Sequence, residues 1–121
     1  MAAWRLTGPA EQQMGEALAH SANQYGRSHA ANYKALIPAA MADVAEDYKR
    51  IGATSVRRSN GIRVYEIRHS RHRVPRDQRI RDPWHKLVYR PRPDGVVEIL
   101  AIVGLSYPSG RAAREALIPR R

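Results

Sequence analysis

The chain has 121 residues, no cysteine and a net charge of +10. That length suits one domain with a single core, residues 1–121; the missing cysteines exclude disulfides and thiolate metal sites, and no apolar run approaches the roughly 20 residues of a membrane helix. The charge is concentrated: residues 57–92 hold twelve Arg or Lys against three acids, nine of the ten net charges, a field that draws acidic partners or polyanions.

In chain order, residues 3–7 (AWRLT) alternate apolar and polar and predict a short strand. Thr7 can cap a following helix, with Pro9 in its first turn, and Ala10, Met14, Leu18, Ala22 and Tyr25 recur at helical spacing until Gly26. Ser28 can cap a second helix carrying Tyr33, Ile37, Ala40, Met41, Val44 and Tyr48, which Pro38 should bend or split. The short link at Gly26 predicts an antiparallel helical hairpin.

After residue 50 the period changes to two. Residues 61–70 (GIRVYEIRHS) and 85–91 (HKLVYRP) alternate, while 95–103 (GVVEILAIV) is almost continuously apolar, the mark of a strand covered on both faces. Pro93, Asp94 and Gly95 turn the last two strands into a hairpin. The intervening RHRVPRDQRIRDP reads as a mobile basic loop over 71–83, and Ser109 opens a short terminal helix, GRAAREAL. The expected fold is therefore α+β, in the order β-α-α-β-β-β with a helical tail. The hairpin packs on one face of a small antiparallel sheet, and a second chain supplies cover for the other.

No Gly-rich phosphate loop is present, and no Ser-His-Asp set can be assembled from the order of residues. His20 and His29 straddle the predicted helix break, while His69, His72 and His85 lie among arginines that repel a cation, so neither a metal nor a cofactor is expected. Trp4 and Trp84 read as packing residues rather than base-stacking platforms. The opening residues lack the basic and then apolar pattern of a secretory signal, which leads to the expectation of a cytoplasmic protein without membrane contact.

The segments WRLTGPAEQQMGEAL, YEIRHS, HKLVYR, DGVVEILAIV and GRAAREAL, in that order, resemble the RelE/ParE family of bacterial toxin–antitoxin toxins over nearly the whole chain. The resemblance implies a hetero-oligomeric complex with a cognate acidic antitoxin. It leaves two activities open. RelE-like members cut mRNA on the ribosome without a metal, which needs a base, an acid and cations for the phosphate. Carried over by position, the two strand lysines of that branch fall on Glu66 and Arg68, and the phosphate-binding arginine falls on Lys86. The later arginine falls near Ser106 and the terminal tyrosine near Ala112, with Tyr107 close by. A nuclease would rest on Arg68, Lys86 and Tyr107, with a carboxylate at Glu66 working against it.

ParE-like members do no chemistry and bind DNA gyrase, and the hairpin LVYRPRPDGVVEIL looks more like that branch. On this reading Arg68, Lys86, Arg90 and Tyr107 form a target-binding surface, and Val97, Ile99, Ala101 and Val103 take the antitoxin. The plainer reading is that Lys86 and Arg90 point into solvent and guard a sheet face against aggregation. A third possibility is a nucleic-acid-binding module using the 57–92 patch without catalysis.

Overall fold

The computed structural model describes residues 3–117. Its strands are β1 (Ala3–Leu6), β2 (Ala53–Ser55), β3 (Arg63–Glu66), β4 (His85–Pro91) and β5 (Val96–Gly104); its helices are α1 (Gly8–Tyr25), α2 (Arg27–Glu46) and α3 (Ser109–Ala116). The sheet runs β1-β5-β4-β3-β2, antiparallel except where β1 lies parallel to β5. The architecture is α+β with a mixed rather than wholly antiparallel sheet. Placing β1 beside β5 in the same direction puts the first and last strands together (Ala3 opposite Val96, Leu6 opposite Ile99).

Thr7 fixes that junction. Its Oγ1 accepts the Ala10 N–H at 3.3 Å, capping α1, and donates to the Leu100 carbonyl at 3.2 Å. Leu100 is the extra residue of a β-bulge, because Val88 faces Ala101 while Tyr89 faces Ile99. β1 pairs with β5 only as far as Ile99, and α1 serves the edge beyond it: the Gln13 amide oxygen accepts the Ile102 N–H at 2.8 Å.

The helical hairpin forms as expected, with Gly26 (φ 94°) as the turn, a conformation that favours a residue without Cβ. Gly26, not Ser28, caps α2, and Tyr48 lies beyond its end. Pro38 does not split α2. The carbonyl that its missing N–H orphans belongs to Lys34, an exposed residue, so water can satisfy it.

The core has two parts, one on each face of the sheet. Leu36, Ile37, Met41 and Val44 of α2 pack on Tyr65, Leu87, Tyr89, Val97, Ile99 and Ile102. On the other face Ile62, Val88, Leu100 and Ala101 meet Ala112 and Ala113 of α3. The second layer expected from another chain is thus begun by this chain's own terminal helix.

Two further expectations are corrected. The strand over 61–70 is cut to Arg63–Glu66, and residues Ile67–Arg73 turn into a 3-10 helix that buries Ile67 and Ser70. The 71–83 segment is not a free loop: Val74 and Ile80 are 5% exposed and belong to the main core. It is also pinned through Asp43 of α2, 1% exposed, whose Oδ2 accepts from the Ser70 hydroxyl at 2.5 Å. Tyr65 and Ser70 share a further hydrogen bond of 2.8 Å. The Asp43 Oδ1 faces Arg50 and Arg73 at 3.2 and 3.4 Å, ion-pair contacts without hydrogen-bond alignment. β2 escapes the sequence pattern because three residues are too few to show alternation.

Candidate functional site

Alternation on β4 sends Lys86, Val88 and Arg90 to the α3 face of the sheet, so the predicted cations do lie on one side. They are not free. Lys86 is 7% exposed, and its ammonium donates to the Tyr107 carbonyl at 2.6 Å, the Ser109 hydroxyl at 3.0 Å and the Leu105 carbonyl at 3.3 Å. An ammonium has three N–H groups; here all three tie down the chain between β5 and α3. Burial lowers the Lys86 pKa, and Glu66, its register partner across β3, opposes that shift.

The other predicted residues are similarly committed. Arg68 lies beyond the end of β3 and pairs with Glu66 at 2.6 Å. Arg90 pairs with Glu98 directly across β5 at 3.2 Å. The Tyr107 hydroxyl donates to Glu115 at 2.5 Å, and that hydrogen bond raises the tyrosine pKa and lowers the glutamate's. Ser106 is exposed, and Ala112 is buried on the sheet-facing side of α3. Phosphodiester cleavage needs a cation with donors to spare for the phosphate and a group ready to accept a proton. At this face Lys86 spends all three donors on protein acceptors, while Arg68 and Arg90 each hold one carboxylate and keep other guanidinium N–H groups.

The four apolar residues of β5 do not share a face. Val97 and Ile99 are sealed under the helical hairpin, while the bulge at Leu100 shifts the alternation and sends Ala101 and Val103 to the α3 side.

A second feature unites residues that looked unrelated in the sequence. A cleft of about 330 Å³ opens between the α1–α2 turn and the segment entering β4, and His20, His29 and His85 all line it. The buried Tyr33 hydroxyl accepts the Trp84 N–H at 3.1 Å and bonds the His85 Nδ1 at 2.6 Å. With the Trp84 N–H already on its oxygen, the Tyr33 hydroxyl is assigned as the donor to Nδ1, the tautomer that places the His85 proton on Nε2. Burial holds the Tyr33 hydroxyl neutral, its pKa pushed up to about 12, and burial followed by His20 lowers the pKa of His85. Beside this pair, Ser21 Oγ and His29 Nδ1 form a short hydrogen bond. The local signal was present: Ser21, Tyr25, His29 and Tyr33 recur every four residues, a single helical stripe interrupted at Gly26.

Among the described residues no group of three His, Asp or Glu is placed to hold a metal, and no helix is long and apolar enough to cross a membrane. The chain matches no family model, no curated protein and no solved structure. What remains for function is geometry and charge. Within 57–92, Arg57, Arg58, Arg76 and Arg81 make no side-chain hydrogen bond or ion pair among the described residues.

Proposed function

We propose that this protein is a cytoplasmic RelE/ParE-type toxin that acts by binding DNA gyrase and is neutralised by a small acidic antitoxin in a hetero-oligomeric complex. The observation that carries the choice of a binder over a ribonuclease is Lys86, whose three N–H groups are taken by Leu105, Tyr107 and Ser109. The order of elements supports the family reading: an opening strand, a helical hairpin, later strands and a closing helix. The unpaired Arg57, Arg58, Arg76 and Arg81 supply the long-range attraction that an acidic target needs.

A binder spreads its energy over a surface. Arg68→Ala is expected to weaken target binding by at most about 1–3 kcal/mol, as a single interface contact does. The test is a gyrase supercoiling and cleavage-complex assay run beside ribosome-programmed mRNA cleavage with the same purified protein. Inhibited supercoiling with intact mRNA is the expected result. Rapid cutting of ribosome-bound mRNA, abolished by Arg68→Ala without loss of fold, would overturn the reading in favour of a RelE-like endonuclease.

A further inference from the structure

The cleft at the helix turn is lined in a way that packing alone does not require. Aromatic rings follow one another along it: Tyr25 to His29 at 4.6 Å, His29 to Tyr33 at 6.1 Å, Tyr33 to His85 at 5.4 Å and His85 to Trp84 at 5.6 Å between centroids. The two ends of this row are the exposed ones, Tyr25 at 67% and Trp84 at 54%. Trp84 is nevertheless held in place. Its ring lies so close over Gly104 that a Cβ there would sit 2.7 Å from the indole, so strand β5 backs the ring while more than half of the side chain stays open to solvent. A fixed, half-open indole is what base stacking uses.

Two arginines, which can only donate, stand on one wall of the cleft. Tyr33 holds the Nδ1 of His85, leaving the Nε2–H as the group His85 can offer a ligand. Arg79 is steadied by the carbonyls of Val74 at 3.0 Å and His72 at 3.3 Å, which leaves other guanidinium N–H groups free. Arg81 lines the same wall with its guanidinium unpaired among the described residues, and Asp82 is the one carboxylate among the lining residues, which leaves the arginines in excess. A cleft of about 330 Å³ lies at the small end of ligand sites, the size class of a single nucleotide.

From this juxtaposition we infer that the cleft binds a nucleoside 5′-phosphate unit, its base stacked at Trp84 and its phosphate held by Arg81, Arg79 and the His85 N–H. Two sources share that chemistry: a free mononucleotide, or one nucleotide of a single strand. The inference shares only Arg81 with the gyrase reading, since it concerns the cleft between the hairpin and β4 and involves neither Lys86 nor α3; Trp84→Ala, which leaves the charge unchanged, tells the two apart.

The experiment is a titration of the purified chain followed by tryptophan fluorescence and calorimetry. Its probes are AMP, adenosine, inorganic phosphate and a short oligodeoxynucleotide. AMP is expected to bind with saturation, and adenosine and phosphate each more weakly. Trp84→Ala and Arg81→Ala should each reduce AMP affinity about tenfold or more, as loss of a stacking platform or a charge-assisted contact does. Both side chains are exposed, so thermal melting should show the variants folded; Trp84→Tyr, which keeps a ring, should recover most of the affinity. Saturable binding of the oligonucleotide alone, lost in the same two variants, supports the site with a strand as its source. Binding unchanged by both substitutions, or no binding of any probe at millimolar concentration, overturns the proposal.

Discussion

Taking an ammonium out of water is unfavourable unless each N–H meets an acceptor, and Lys86 meets that condition with two carbonyls and a hydroxyl from the segment leading into α3. His85 poses the same problem differently. It escapes the cost by remaining neutral, its Nδ1 accepting from Tyr33, while His20, His29, Arg79, Arg81 and Asp82 line the same cleft. Its pKa is lowered from 6.5 in the folded state, first by burial and then by His20. The unfolded chain therefore takes up a proton that the folded chain resists. Stability is full above about pH 6.5 and falls as the pH drops from there through the lower folded value. In thermal melts between about pH 7 and pH 5, His85→Asn, which keeps an acceptor for Tyr33, is expected to flatten part of that loss. An unchanged slope would show that other groups cause it.

At the scale of elements, the arginine-rich segment after β3 behaves as two kinds of structure. Arg73 reaches the buried Asp43, whereas Arg76 is exposed and makes no side-chain bond among the described residues. Arg76→Glu should therefore leave stability within about 0.5 kcal/mol of the parent. Arg73→Glu sets a second carboxylate beside Asp43, and a loss of about 3 kcal/mol is expected, since Asp43 then trades a cation for a like charge. Equal midpoints for the two variants in urea would mean that the Asp43 network does not anchor the segment. Polarity suggested a mobile loop here because composition reports solvation, and it cannot report that Val74 and Ile80 dip into the core between the charges.

Over the whole molecule, a net charge of +10 governs how the chain meets its partners more than how it folds. Arg68, Arg73, Arg90 and Arg92 of the 57–92 region face carboxylates that offset their charge, so the long-range field should respond most to arginines without such a partner, Arg57, Arg58, Arg76 and Arg81 among them. Association with an acidic partner should slow steeply between low and physiological salt, chiefly in its on-rate. Replacing Arg57, Arg58 and Arg76 with Gln should flatten that dependence while leaving dissociation nearly unchanged. Stopped-flow measurements across a salt series check this, and a parent rate insensitive to salt would rule out steering by this field.

Local spacing in the sequence was enough to determine the order of the main elements, the helical hairpin turning at Gly26, the strands flanking the Pro93–Gly95 turn and the closing helix. These depend on residues two to four apart, and a chain carries that information wherever it is read. Tertiary structure decided what those elements do. Thr7 bonds Leu100 across 93 residues and Gln13 bonds Ile102 across 89, holding β5 past the end of β1, while the bulge sends Ala101 to the face opposite Ile99. Tyr33 meets His85 across 52 residues and makes a cleft of histidines that had looked scattered. Lys86 meets Tyr107 across 21 and becomes an anchor instead of a free cation. Periodicity shows that a side chain faces inward; which acceptor awaits it depends on strand pairing and on the bulge, and those exist only once the distant segments have met.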